Sequence, residues 1–135
     1  MDDCVFCRII EGKAEGTILY SDEKCLVILD KFPISKGHML VISREHYNDI
    51  LSAPDDIVAH MFLKAKEFAT AAEEKLNANG INIGANIGAP AGQIIWHAHI
   101  HVIPRYKGES RDFNFKTKNA LDAKEAEGLK RLLGR

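Results

Sequence analysis

Residues 93–105 decide the fold, and they read Gln-Ile-Ile-Trp-His-Ala-His-Ile-His-Val-Ile-Pro-Arg. Histidines stand at every second position in this stretch, at His97, His99 and His101. Successive side chains of a β-strand point to opposite faces of its sheet, so residues two apart share a face. A helix would spread the three imidazoles over about 400° of rotation and leave them no common face. The alternation therefore predicts a strand that presents the three histidines together.

The residues between the histidines predict the other face of that strand. They are apolar, as the face of a strand that packs on a core must be. The set expected to point into the core is Ile94, Trp96, Ala98, Ile100 and Val102.

The bulk composition fits one soluble domain that spans residues 1–135. The chain has 46% hydrophobic and 27% charged residues and a net charge of −1, which gives no attraction to nucleic acid or to a membrane surface. Acidic residues stand at the N-terminus, where a secretory signal would carry positive charge, so a cytoplasmic location is expected. Three cysteines in a reducing compartment argue against a disulfide framework.

The order of predicted elements indicates an α+β domain with a mostly antiparallel sheet. Short strands are predicted at residues 17–20, 25–29, 38–43 and 81–87, in addition to the histidine strand. Apolar residues at 3–4 spacing predict a long helix that begins near Ser52 and Pro54 and ends before Gly80. A loop is predicted at residues 108–115 and a C-terminal helix at residues 120–133. His60 lies inside the long helix and is expected to be structural.

Several motifs together carry a resemblance to a known family. They are His97-Ala98-His99-Ile100-His101-Val102-Ile103, Asn86-Ile87-Gly88, Ala91-Gly92-Gln93, Asp30, Pro33, Gly37-His38 and Arg44-Glu45-His46. The chain resembles a compact histidine triad protein of the Hint-like branch, over about residues 4–106. The resemblance implies a HIT-like fold with roughly five strands, one long central helix and a C-terminal helix. It also implies a homodimer.

The resemblance further implies an activity, because family members bind nucleotides and act at the α-phosphorus. The expected function is a hydrolase or nucleotidyl transferase for purine nucleoside phosphoramidates or dinucleoside polyphosphates, releasing a nucleoside monophosphate. His99 takes the position of the nucleophile that becomes nucleotidylated, and His101 that of the leaving-group or phosphate partner. The phosphate pocket would include His38, Asn86 and Gln93. Asp30 matches the position that contacts the ribose hydroxyls.

A Cys-x-x-Cys pair indicates a second, metal-binding function. Cys4 and Cys7 with His46 and His97 would form a tetrahedral Cys₂His₂ site for a structural zinc ion. Relatives, including the galactose-1-phosphate uridylyltransferase branch, carry zinc at the corresponding positions. The alternative is two free thiols and a hydrogen-bonded His97. No organic cofactor is expected.

Two other functions remain open at the level of sequence. One is a non-catalytic nucleotide-binding protein that acts as a regulator or scaffold. The other is a metallohydrolase in which the three alternate histidines chelate a catalytic metal. One departure from the family pattern also bears on activity, since Ile94 stands where many relatives carry Ser or Thr. If that hydroxyl contacts the leaving group, the substrate range of this chain is narrower.

Overall fold

The computed structural model describes residues 3–109 and 120–135. Within them the chain forms three α-helices, five strands and a short 3-10 turn. In chain order these are α1 (Val5–Ile10), β1 (Ile18–Ser21), β2 (Cys25–Leu29), β3 (Met39–Ser43), α2 (Asp55–Leu76), β4 (Gly80–Gly84), the turn (Ala89–Ala91), β5 (His99–Arg105) and α3 (Ala123–Leu133). The loop predicted at residues 108–115 lies mostly outside the described residues. None of the helices in the described part is long and apolar enough to cross a membrane.

The five strands form one sheet in the order β1-β2-β3-β5-β4. Every neighbouring pair is antiparallel. The α+β prediction, with five strands, one long helix and a C-terminal helix, is therefore confirmed. Because β5 pairs with β3 on one side and β4 on the other, its side chains are fixed between two neighbours.

The two faces of the sheet pack against different helices. One face carries Val27, Val41 and Ile100 and packs on α2 and α3. The opposite face carries Leu26, Ile28, Leu40 and Ile42 and packs on α1. Because the sheet is covered on both faces, β2 and β3 are buried at all five positions. Strands buried in this way have apolar residues at nearly every position.

The histidine strand is shorter than the sequence predicts. It begins at His99, and residues 93–98 have an irregular backbone. The prediction that Ile94 and Trp96 face the core is wrong, since they are 81% and 43% exposed. Long-range bonds set this path: the Ala98 N–H donates to the Tyr47 carbonyl at 2.7 Å. Ile100 and Val102 are fully buried, as the alternation predicted.

The ends of α2 also differ from the prediction. Pro54 rather than Ser52 caps its N-terminus, without a side-chain hydrogen bond. Asn77, in the left-handed region at φ 58°, ends the helix in place of Gly80. An asparagine tolerates this conformation better than most residues, because its short polar side chain bonds locally. Gly80 instead begins β4, which ends at Gly84 rather than near residue 87.

Candidate functional site

The pairing of β5 with β3 brings two histidines to the face that α1 covers. His99 lies opposite Ile42 and His101 lies opposite Leu40. Both partners belong to the apolar cluster around α1, and directly opposed residues share a face. The two imidazoles contact each other with ring centroids 5.1 Å apart. The sequence-predicted neighbours His99 and His101 therefore lie side by side.

The hydrogen bonding of His99 fixes which of its nitrogens has a free electron pair. Its Nδ1 lies 2.6 Å from the His97 carbonyl oxygen. A carbonyl only accepts, so Nδ1 carries the proton and donates it. Burial lowers the pKa of His99, which keeps the ring neutral near pH 7. Nε2 of His99 is therefore an unprotonated nitrogen that can act as a nucleophile.

A chain of hydrogen bonds fixes the tautomer of His101 in the same way. The Ile34 N–H donates to Nδ1 of His38 at 3.0 Å, so the proton of His38 is on Nε2. That nitrogen lies 3.0 Å from Nδ1 of His101 and donates to it. Burial lowers the pKa of His38 to about 3 and that of His101 to about 4, so both rings are neutral. The proton of His101 is therefore on Nε2, where it can be donated.

Asp30 lies at the far end of this chain. Its Oδ2 is 3.5 Å from Nε2 of His38, and its Oδ1 accepts the Phe32 N–H at 2.9 Å. Burial raises the pKa of Asp30 to about 6. The side chain of Asp30 is 20% exposed and lies beside His38.

Gln93 braces the loop before the histidines. Its Oε1 accepts the Gly88 N–H at 2.9 Å, and its Nε2 donates to the carbonyl of Asn48 at 2.9 Å and to that of Ile95 at 3.1 Å. Asn86 is half-buried on the same loop, and a Cβ on Gly92 would lie 3.3 Å from its Nδ2. Gln93 is thus committed to backbone groups, and phosphate binding by Gln93 and Asn86 stays a prediction.

The four sequence-predicted metal ligands meet in space. The donor atoms of Cys4, Cys7, His46 and His97 all lie within 4.8 Å of one another. Nδ1 of His97 is 3.3 Å from Sγ of Cys4 and 3.5 Å from Sγ of Cys7, and Nδ1 of His46 is 3.3 Å from Sγ of Cys7. Residues up to 93 positions apart in sequence therefore converge on one point.

These distances fit a tetrahedral zinc ion. Zinc bonds of about 2.3 Å to sulfur and about 2.0 Å to nitrogen, at tetrahedral angles, separate the two donor atoms by about 3.5 Å. The tautomer of His97 also fits, because its Nε2 lies 2.6 Å from the Ser43 carbonyl and must donate to it. Metal-binding histidines commonly use one nitrogen in this way, which leaves Nδ1 free for the metal. Cysteine and histidine together are the donor set that zinc prefers.

Hydrogen bonds occupy the donor atoms of two other clusters in the described part of the chain. In the group of Asp30, His38 and His101, Nε2 of His38 carries a proton and donates it to Nδ1 of His101, so neither nitrogen has a free electron pair for a metal. The Nε2–H tautomer of His101 argues against a metal chelated by the three alternate histidines. In the group of Asp22, Cys25 and His60, a direct hydrogen bond joins Oδ2 of Asp22 to Nε2 of His60 at 2.6 Å. This contact joins α2 to the β1–β2 turn, which agrees with a structural His60.

Three contributors to the site were not identified from sequence. They are the Ser43 carbonyl and the Ile34 N–H, which fix tautomers, and the ring of Phe6, which touches His97 and His99. Backbone groups have no residue-type signal, so no sequence pattern could have revealed the first two. The position of Phe6 between Cys4 and Cys7 was a usable signal, because the pair must approach His97 to share a metal.

Comparisons with known proteins agree with this geometry. The HIT domain model matches residues 11–108. Adenylylsulfatase HINT3 of Arabidopsis thaliana is 43% identical over 104 residues, which are 77% of this chain and 53% of that protein, so the chain spans about half of that relative.

Solved structures extend the match to nearly the whole chain. A Zn-bound histidine triad family protein from Mycobacterium smegmatis is 37% identical, with a TM-score of 0.86 over 98% of this chain and 94% of the other. A hypothetical histidine triad nucleotide-binding protein from Sulfolobus tokodaii is 36% identical, with a TM-score of 0.87 over 96% of this chain and 89% of the other. Since the HIT domain model covers most of the sequence and these structures share its fold, the chain belongs to the histidine triad (HIT) family.

Proposed function

We propose that this protein is a nucleotide-binding hydrolase that acts at the α-phosphorus of purine nucleoside phosphoramidates or dinucleoside polyphosphates. The observation that supports this most directly is the tautomer of His99. A buried, neutral imidazole with Nδ1–H bonded to a carbonyl presents Nε2 as a nucleophile without prior loss of a proton.

The reaction proceeds in two steps. Nε2 of His99 forms a bond to the α-phosphorus, and the bond from phosphorus to the leaving nitrogen or oxygen breaks. The leaving atom takes the electron pair of that bond and a proton, which the Nε2–H of His101 supplies. Water then attacks the phosphorus of the nucleotidyl-His99 intermediate and gives a proton to Nε2 of His101. The bond from phosphorus to Nε2 of His99 breaks, its electron pair returns to that nitrogen, and the nucleoside monophosphate is released.

Substrate contacts follow from the remaining residues. His38 acts through His101, which it holds in the donating tautomer. Asp30 accepts hydrogen bonds from the ribose hydroxyls, Asn86 contributes to the phosphate pocket, and Gln93 supports that pocket by bracing the loop at Gly88. The Arabidopsis relative is named an adenylylsulfatase, so adenylyl sulfate belongs in the substrate panel with the phosphoramidate and the dinucleotides.

The test is release of AMP from adenosine 5′-phosphoramidate. His99→Ala and His99→Asn should abolish release, and His60→Asn is the matched control because that histidine lies in α2 and pairs with Asp22. Acid-free quenching of the wild-type protein should reveal a population heavier by one nucleotidyl group. Turnover that persists in the His99 variants would refute the role of His99. Tight AMP binding without turnover on the whole panel would instead favour the non-catalytic nucleotide-binding alternative.

We propose further that Cys4, Cys7, His46 and His97 hold a structural zinc ion. All four positions would be occupied by protein atoms, so the metal is closed to substrate and ties the N-terminus to the sheet. The thiolates must stay reduced to hold it, which suits the cytoplasm. Metal analysis of protein prepared without added metal should give about one zinc per chain, and Cys4→Ser should remove it. Metal-free wild-type protein with unchanged stability would contradict the proposal.

A homodimer is the proposed assembly. Apolar residues on α2 and on the edge strand β4 remain exposed, with Phe62 at 41%, Leu63 at 60% and Ile83 at 42%. Exposed large apolar side chains are often covered by another protein chain, and the proposed dimer would cover these residues. Sedimentation should give twice the 15.0 kDa mass of the chain. A monomer at micromolar concentration would contradict it.

A further inference from the structure

Phe6 links the metal-binding segment to the nucleophile. It lies in the first turn of α1, between Cys4 and Cys7, and is 3% exposed. Its ring contacts that of His99 with centroids 5.2 Å apart and planes at 79°, and that of His97 at 5.6 Å and 83°. Both contacts have the edge-to-face geometry that aromatic rings prefer. One side chain therefore touches both a proposed metal ligand and the proposed nucleophile.

The ring of His99 needs such a contact to keep its orientation. In the part of the chain that the structure describes, its hydrogen bond to the His97 carbonyl fixes the direction of Nδ1. A single bond at one edge still allows the ring to tilt about that edge. Packing by neighbouring rings removes this freedom, and Phe6 and His101 are rings in contact with His99. The side chain of Phe6 has no polar atom, so it acts on His99 through ring packing alone.

We propose that Phe6 is a positioning residue for His99. Its edge holds the imidazole in the plane in which Nδ1–H reaches the His97 carbonyl and Nε2 faces the substrate. Cys4 and Cys7 flank Phe6. A metal bound by the two cysteines would therefore fix the start of α1 and, with it, the position of the Phe6 ring. The kinetic part of this inference rests on the proposed function, whereas the orientation of His99 does not.

The experiment compares Phe6→Ala and Phe6→Leu with the control Val5→Ala. Val5 is the neighbouring residue in α1 and is 41% exposed, so its truncation tests the effect of shortening an exposed side chain of the same helix. The first readout is the low-field NMR resonance of the His99 Nδ1–H, which the short bond to the His97 carbonyl protects from exchange. Phe6→Ala should broaden or abolish it, while the Nε2–H resonance of His97 persists. Phe6→Leu, which keeps a buried apolar side chain, should retain it in part.

Kinetics provide the second readout. Displacing a reacting group by about 1 Å costs up to roughly a hundredfold in rate, so kcat of Phe6→Ala should fall about ten- to a hundredfold with little change in KM. Val5→Ala should match the wild type. An intact His99 Nδ1–H resonance in a folded Phe6→Ala protein would overturn the proposal. So would a rise in KM alone, which would make Phe6 a substrate contact. If the wild type turns over nothing, the proposed function fails, and the NMR comparison alone decides the role of Phe6.

Discussion

Two substitutions of His38 separate its two hydrogen bonds. His38 is 2% exposed, accepts the Ile34 N–H through Nδ1 and donates to His101 through Nε2. The amide oxygen of asparagine stands near the position of Nδ1, so His38→Asn keeps the bond from Ile34 and loses the bond to His101. The amide nitrogen of glutamine reaches the position of Nε2, so His38→Gln keeps the donor to His101 and loses the acceptor for Ile34.

The expected magnitudes follow from the hydrogen bond that each variant loses. A buried polar group that loses its partner costs about 1–3 kcal/mol, so both variants should lower the free energy of unfolding by that amount. Their effects on catalysis should differ. A positioned proton donor contributes roughly 10²- to 10⁴-fold, and without the bond from residue 38 the ring of His101 is no longer held in the donating tautomer. His38→Asn should therefore lower kcat by roughly a hundredfold, whereas His38→Gln should stay within about threefold of the wild type.

The assay is AMP release from adenosine 5′-phosphoramidate at pH 7, with urea unfolding of the same samples. A substrate with a good leaving group needs no proton donor, so it should recover most of the rate lost in His38→Asn. Equal kcat values for the two variants would refute the reasoning. Wild-type activity in a folded His38→Asn protein would refute the role of the His38–His101 bond.

Three further predictions concern stability. Chelation of the metal, or Cys7→Ser, should lower the free energy of unfolding by about 3 kcal/mol or more, and chelation should add nothing in Cys7→Ser. Acidification from pH 7 to pH 5 should lower the free energy of unfolding by about 2 kcal/mol through the protonation of His38 alone. Burial lowers the pKa of His38 from its ordinary 6.5 to about 3 in the folded chain, so the unfolded chain takes up the proton first, and the stabilisation is complete only above pH 6.5. Asp30, with a pKa raised to about 6, acts in the opposite sense and raises the free energy of unfolding by about 1 kcal/mol over the same range. His101, with a pKa lowered to about 4, adds to the loss from His38, so the net free energy of unfolding should fall on acidification. Urea titrations across this range measure the net change, and a flat profile contradicts it. Gly37→Ala should destabilise by about 1–3 kcal/mol, because Gly37 has φ +85° and the new Cβ would lie 2.4 Å from Leu76 Cδ1. Gly84→Ala, with nothing within 4 Å, is its control in thermal melts.

Sequence periodicity predicted what depends on regular strands. Alternation holds from His99 onward, so the placement of His99 with His101 on one face and of Ile100 with Val102 on the other is correct. It fails at Ile94 and Trp96, since periodicity applies only where the backbone is extended and paired. There, bonds to distant groups, such as that from Gln93 Nε2 to the Asn48 carbonyl, override the local pattern.

The four metal-ligand candidates were found without periodicity. Cys4 and Cys7 came from their spacing, and His46 and His97 came from the resemblance to the family. No local rule predicts that positions so far apart converge. The convergence needs β3 and β5 to be neighbours, because His46 follows β3 and His97 precedes β5. The tautomers were beyond the sequence for a different reason: backbone carbonyls and amides decide them, and every residue type supplies those.

His97 links the proposed metal site to the proposed nucleophile. Its side chain uses one nitrogen toward the cysteines and the other toward the Ser43 carbonyl. Its backbone carbonyl accepts the proton of His99. A shift of His97 would therefore move the acceptor on which the proposed nucleophile depends, whereas His101 takes its tautomer from His38, which directly precedes β3. Disturbing the metal ligands should thus impair the attack on phosphorus more than the protonation of the leaving group. A substrate with a good leaving group, which recovers activity in His38→Asn, should recover none in Cys7→Ser.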